Sequence, residues 1–186
     1  MRALRLSLAV VALLASGPAT LAAAPAAPIE TGVGPVTKLP LPRYASLKTD
    51  RVNLREGPSK DHRTLWVFQR AGLPVEIVGE FETWRRIRDS EGTEGWVLHS
   101  LLSGRRTAIV NAGPDKGIEK ASVSLRAKAE DGADDEAKLQ TGVIGSVKSC
   151  TGTWCRLIVA LPNKRDVDGY IRQNRLWGVY PNEVVE

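Results

Sequence analysis

From Tyr44 onward the chain is written in short apolar runs broken by Gly, Asp and Asn. Alternation of apolar and polar positions predicts strands over Tyr44–Lys48, Val52–Arg55, Leu65–Arg70, Leu73–Gly79, Trp84–Arg88, Gly95–Leu98 and Thr107–Val110. Turn signals separate them at Glu56-Gly57-Pro58-Ser59, Arg70-Ala71-Gly72 and Asp89-Ser90-Glu91-Gly92. No window longer than about ten residues keeps a helical period. The pattern therefore predicts an all-β sandwich or barrel.

The second half repeats the order of the first. Val52-Asn53-Leu54-Arg55 matches Val123-Ser124-Leu125-Arg126 at an offset of 71, and Ala71-Gly72-Leu73 matches Thr141-Gly142-Val143 at 70. Thr83-Trp84-Arg85-Arg86-Ile87 matches Thr153-Trp154-Cys155-Arg156-Leu157, again at 70. Gly95-Trp96-Val97 matches Gly169-Tyr170-Ile171, and Ser100–Gly104 matches Asn174–Gly178, both at 74. The growth in offset puts four extra residues in the turn Leu161–Asp168. Both copies share one irregularity. Same-face residues in a strand are two apart, yet Trp84 and Ile87 are three apart, as are Trp154 and Leu157. Either the Trp stands at a turn or a bulge shifts the register. The reading is two copies of one small β-domain, near 43–110 and 118–183, joined by a turn-rich linker at Asn111–Gly117.

The N-terminus follows a different rule. Arg2 and Arg5 precede a run, Leu6–Ala15, that is apolar except for Ser7. Gly17 and Pro18 break it, and Ala22, Ala23 and Ala24 follow. That order predicts a secretory signal peptide over 1–23. Ten apolar residues are too few for a span that needs roughly 20, so no transmembrane segment is expected in the mature chain. Residues 24–42 hold five Pro and two Gly and no amphipathic period, which predicts an extended Pro-rich linker. Removal of the leader lowers the formal charge from +5 to +3. All of that excess lies in the first copy, with 12 basic and 9 acidic residues over 43–111 against 11 and 11 over 112–186. An excess so small argues against nucleic acid as a partner.

Val52-Asn53-Leu54-Arg55-Glu56-Gly57-Pro58-Ser59 resembles the "VNVR-x-GPS" signature that opens bacterial SH3-like domains. The rest follows that order: Gly72 before an apolar strand, Trp84 before a basic strand, Glu94-Gly95-Trp96-Val97, then a short helical turn at His99–Leu102. The second copy matches less closely. Its opening, Leu125-Arg126-Ala127-Lys128-Ala129-Glu130, lacks the Gly-Pro pair, and an acidic loop, Glu130–Glu136, replaces the compact one. The resemblance implies two tandem SH3-like barrels, each five- to six-stranded and partly open. It implies a non-catalytic binding module of periplasmic or secreted proteins that contact peptidoglycan or other envelope proteins.

The candidate chemistry is sparse. Cys150 and Cys155 flank a predicted hairpin turn between Val143–Cys150 and Trp154–Ala160, and export would favour their joining. A metal would need about two more ligands than lie nearby, and redox pairs favour two intervening residues rather than four. A structural disulfide is the expectation. Trp84 and Trp96 are expected in the core, while Trp66 has no counterpart in the second copy. Arg86 and Arg88 share a face, with Arg85 on the other; Glu80, Glu82 and Glu94 are available to pair with them. The acidic loop reads as solvated, without the ligand spacing of a calcium site. His62 and His99 are isolated, and no nucleophile elbow, phosphate loop or zincin motif is present. The expectation is therefore no enzyme, no cofactor and no metal site. The binding surface is expected between the opening loop and the Trp84 hairpin, with Glu56, His62, Trp66, Trp84 and Arg85 as candidates.

Overall fold

A computed structural model describes residues 32–111, 122–161 and 165–186. The expected leader and the first part of the expected linker lie outside those residues. Among these residues seventeen strands follow in chain order. The lead holds β1 (Gly32–Val33) and β2 (Pro40–Leu41). The first copy runs β3 (Arg43–Leu47), β4 (Val52–Arg55), β5 (Thr64–Phe68), β6 (Pro74–Phe81), β7 (Trp84–Arg88), β8 (Glu94–Leu98) and β9 (Leu102–Ser103). Next come β10 (Thr107–Val110), β11 (Ser122–Arg126), β12 (Asp135–Gln140), β13 (Ile144–Thr151), β14 (Trp154–Ala160), β15 (Asp166–Arg172), β16 (Leu176–Trp177) and β17 (Val184–Val185). One helical turn follows β8 at His99–Leu101, and another follows β15 at Gln173–Arg175.

Besides the small β1–β2 sheet of the lead, two large antiparallel sheets form among the described residues, each curled into a half-barrel. The first has the order β5-β4-β8-β7-β6-β3-β9, and the second has β12-β11-β15-β14-β13-β10-β16, with β17 added against β13. The two orders are the same once β10 is set equal to β3. The all-β tandem fold expected from the sequence is thus present, with one change at its boundary. The repeat places Thr107–Val110 at the end of the first copy. The backbone of that strand instead pairs with β13 and β16, so it opens the second sheet. A strand's own pattern says that it will pair, not with what. β10 and β11 both belong to the second sheet, and of the expected linker at Asn111–Gly117 only Asn111 is among the described residues.

β7 and β14 pair with β8 and β15 without a slip, so Trp84 and Trp154 open their strands at the turn and stand on the opposite face from Ile87 and Leu157; the bulge lies on the facing strands. The register slips between Ile77 and Gly79 opposite β7, and at the equivalent place between Val147 and Ser149 opposite β14. The extra residue sits on the strand facing the Trp, and bends it. Ile87 and Leu157 point into the two cores and are fully buried. The first core gathers Leu47, Val52, Leu54, Val75, Ile77, Ile87 and Val97. The second gathers Val110, Leu125, Leu157, Val159 and Ile171. Gly95 and Gly169 let β8 and β15 cross close over the neighbouring strand. A Cβ at either would lie 2.8 Å from a backbone oxygen, of Arg55 or of Arg126.

The lead is not an extended linker over its described part. β1 pairs with β2, and the turn between them closes on Glu80. The Val36 and Thr37 amides donate to Glu80 Oε2 at 3.0 and 2.8 Å, and Thr37 Oγ1 donates to Oε1 at 2.6 Å. Arg43 adds a charged bond at 2.8 Å, and Arg85 lies 3.6 Å away. The Glu80 side chain is fully buried. Burial pushes its carboxyl up, but the bonds from Thr37, Arg43 and Val36 outweigh that and hold it at about 2. Glu80 and Arg85 face each other across β6 and β7, where Cys150 and Cys155 face each other across β13 and β14. The Cys pair is joined, as expected. One cross-strand position thus carries an ion pair in the first copy and a disulfide in the second.

The two sheets meet along a polar and aromatic seam. Tyr44 packs edge-on against Trp177, with centroids 5.2 Å apart, and obliquely on Tyr180 at 4.6 Å. Tyr180 Oη donates to Glu76 Oε1 at 2.9 Å, while Arg88 holds the other Glu76 oxygen. Arg106 forks onto Glu183 at 2.8 and 3.0 Å, and the buried Thr107 hydroxyl donates to the Gly72 carbonyl at 2.8 Å. Burial, followed by the Glu76 bond and charge, raises the Tyr180 phenol, and burial with Glu76 pushes Tyr44 up to about 12. Both stay protonated, so Tyr180 remains a donor. Tyr180→Phe is expected to cost about 1 kcal/mol in urea denaturation, since Glu76 keeps its Arg88 bonds but loses one donor.

Candidate functional site

A cleft of about 250 Å³ opens on the first sheet, lined by Arg51, Asn53, Arg55, Lys60, Trp84, Leu98 and Leu101. Each lining element has a local reason. β4 alternates Val52 and Leu54 into the core, so Arg51, Asn53 and Arg55 turn outward. Lys60 comes from the Gly-Pro turn after β4. Trp84 opens β7, where the tight Glu82–Thr83 turn ends, and it is 7% exposed but lies outside the apolar core. Leu98 and Leu101 come from the end of β8 and its helical turn. Arg55 Nη1 donates to the His62 carbonyl at 2.7 Å, which fixes the guanidinium at the mouth of the cleft.

The same cleft recurs on the second sheet with a volume of about 280 Å³. There Ser122, Ser124, Arg126, Asp131, Trp154 and Arg175 stand at the positions of Arg51, Asn53, Arg55, Lys60, Trp84 and Leu101. Arg172 replaces Leu98. Its guanidinium carbon sits 4.4 Å from the Trp154 ring centroid, and its Nε donates to Asp131 Oδ1 at 3.0 Å, with a second bond from a terminal nitrogen to Oδ2. The bonds from Arg172 hold the Asp131 carboxyl below the usual range.

Of the residues expected at the binding surface, only Trp84 lines the cleft. Arg85 is corrected: it is 5% exposed and points to the opposite side of β7, where it meets Glu80 and donates to the Glu82 and Trp84 carbonyls. Glu56 is exposed and faces Arg63 at 3.9 Å. His62 is exposed and lies over Gly57, where a Cβ would collide with its ring. Trp66 is 59% exposed on the edge strand β5, away from the cleft lining. Trp96 is half-buried and not in the core. Arg86 and Arg88 share a face and are paired with carboxylates: Arg86 bonds Glu94, one of the expected partners, and Arg88 bonds Glu76 at 2.6 Å. In the acidic loop Asp131 is tied to Arg172, and Asp135 lies 3.3 Å from Arg126.

The bacterial SH3 domain profile matches this sequence twice, over residues 48–104 and 119–178. The chain belongs to the bacterial SH3 domain family. Its two SH3 domains are those of a binding-module family, and the two matches contain both Trp clefts. No curated protein matches the sequence. Among solved structures, NlpC2 from Trichomonas vaginalis is similar at a TM-score of 0.31 and 12% identity, covering 73% of this chain and 48% of that one. NlpC1 from the same organism is similar at 0.31 and 11%, covering 81% and 51%. The chain thus spans about half the length of each, and likeness this distant bears on neither fold nor chemistry. Among the described residues no helix is long and apolar enough to cross a membrane, and no three His, Cys, Asp or Glu side chains are placed to hold a metal ion.

Proposed function

We propose that the protein is exported and that its first SH3 domain holds an extended, peptide-like ligand of the cell envelope in the Trp84 cleft. A peptidoglycan stem peptide or a protein segment would fit such a site. The observation that carries this reading is the repeated cleft. Both domains build it around a Trp at the same position, and in the first the lining carries cations and no Asp or Glu. A flat ring beside donors that point outward is how an SH3-type surface grips an extended chain. The leader-like N-terminus and the joined Cys pair support an oxidising compartment outside the cytoplasm.

Sedimentation with purified wall sacculi tests the reading. The mature chain is expected to pellet at low salt. Trp84→Ala should weaken binding at least about tenfold, the loss typical of a central aromatic anchor, while Trp154→Ala leaves it unchanged. A circular dichroism melt of each variant separates loss of binding from loss of fold. If the wild-type protein stays in the supernatant, wall binding fails. A second reading then gains, that of an accessory or scaffold subunit of an envelope complex. It is favoured by Leu65 and Trp66, which stand exposed side by side on the edge strand β5.

A further inference from the structure

We infer that the Trp84 cleft recognises a carboxylate, and that Asp131 is the second domain's built-in copy of that ligand. The inference rests on the Trp84 cleft being the binding site. Its substance comes from comparing the two clefts residue by residue.

In the second domain a carboxylate already stands in the lining of the cleft. Asp131 arrives from the loop between β11 and β12 and takes two hydrogen bonds from Arg172, which is stacked on Trp154. Arg126 adds its charge from the side. A guanidinium on an aromatic face, forked onto a carboxylate, is a complete carboxylate receptor. The pair is also solvent-facing, with side-chain exposures of 38% for Arg172 and 69% for Asp131. An exposed pair contributes little to folding, so its arrangement is a matter of occupancy rather than of core stability.

In the first domain both members of that pair are replaced: Leu98 stands where Arg172 stands, and the cations come from other positions around the cleft. Lys60 stands where Asp131 stands, so the loop now brings a cation instead of the anion. Arg51 replaces Ser122 and adds another. Arg51, Arg55 and Lys60 therefore converge beside Trp84, with Leu98 and Leu101 as an apolar wall. No Asp or Glu among the described residues lines this cleft or pairs with Arg51 or Lys60. Several other arginines of this domain are matched. Arg43 and Arg85 share Glu80, Arg86 has Glu94, Arg88 has Glu76 and Arg106 has Glu183. Three of the first domain's twelve basic residues thus share this one cleft. Like charges held together against an apolar wall need an anion from outside. The ligand chemistry is then an extended chain that lays an apolar group on Trp84 and a carboxylate on the three cations. The tandem is monovalent, because the second cleft answers to its own Asp131.

A titration tests both halves. The mature full-length chain is titrated at low salt with fluorescein-labelled hexaglutamate, and separately with hexaglutamine, by fluorescence anisotropy. One hexaglutamate is expected per wild-type chain, with hexaglutamine failing to bind. Arg51→Gln with Lys60→Gln, both at exposed positions, should weaken hexaglutamate at least about tenfold. Lys48→Gln with Lys148→Gln removes the same charge elsewhere and should change it less than about threefold. Asp131→Asn should raise the stoichiometry from one to two. Equal binding of hexaglutamine, equal losses in the two double variants, or a stoichiometry that stays at one in Asp131→Asn would overturn the inference. The sacculus assay separates its failure from that of the function proposed above. If Trp84→Ala abolishes pelleting while Arg51→Gln/Lys60→Gln does not, the cleft stands and the carboxylate falls. If neither variant matters, both fall.

Discussion

Glu80→Gln is expected to destabilise the protein by about 3–5 kcal/mol, the usual consequence of removing one member of a buried ion pair. Glu80 is fully buried, and it holds two cations and the turn of the lead at once. An amide can keep at most some of the bonds to Val36 and Thr37. It cannot compensate Arg85, which would be left charged and nearly buried. Urea denaturation followed by Trp fluorescence reads the loss, because Trp84 lies on the strand next to Glu80. The acid limb gives an independent reading. The folded carboxyl sits at about 2 against an ordinary 4.5. The folded value is the lower one, so the stabilisation is fully present above the ordinary value. It is lost as pH falls from about 5 toward 2. By linkage the group contributes about 3 kcal/mol at neutral pH. Wild type should lose that amount across the window, and Glu80→Gln should show only the smaller slope left by groups such as Asp168 and Glu183. A wild-type acid limb as shallow as that of the variant would refute the assignment. Glu80→Cys with Arg85→Cys would transplant the arrangement of the second domain. It should restore the β6–β7 pairing under oxidising conditions without restoring the clasp on the lead.

Loss of the Cys150–Cys155 bond is expected to have the next largest effect, about 2 kcal/mol from chain entropy alone and up to about 5 by precedent for native disulfides. The two residues are five apart in sequence and face each other near the end of the β13–β14 hairpin. Cys150 also stands opposite Val185, so the bond steadies the position at which the C-terminal strand β17 docks. Both side chains belong to the second core. Cys150→Ala/Cys155→Ala should lower the melting temperature by roughly 4–8 °C for a chain of this size. Adding reductant should lower the wild-type value similarly and leave the double variant unmoved. A wild-type melting temperature indifferent to reductant would contradict the prediction.

Strands were the most legible part of this chain, because their signal is local. Val52–Arg55, Trp84–Arg88 and Thr107–Val110 form over the residues that alternation marks. Pairing was less legible. The same alternation that marks β10 as a strand is silent about whether it joins the sheet before it or the one after it. The lead misled because five Pro suppress any strand signal, while the bonds that fold it depend on a Glu80 more than forty residues away. Trp84 is legible both as a landmark of the repeat and as a candidate for the binding surface, but its sequence neighbourhood does not name the residues that share its cleft. Its neighbours Arg51, Lys60 and Leu101 come from three separated segments that only the curled sheet brings together. A signal for them did exist. Lys60 and Asp131 occupy the same repeat position with opposite charge, as do Glu80 and Arg85 against a Cys pair. Comparing the copies by charge, and not only by apolar matches, marks both places.

The strand exchange at the domain boundary governs how this protein can be cut. Only Gly104, Arg105 and Arg106 separate β9, the last strand of the first sheet, from β10, the first of the second. A fragment ended at residue 110 carries a strand with no sheet to join. The complementary fragment exposes the edge of β13 at Ile144–Ser146, which β10 had covered, and an open edge of that kind recruits other chains into aggregates. Soluble single domains are to be expected only from a cut within those three residues.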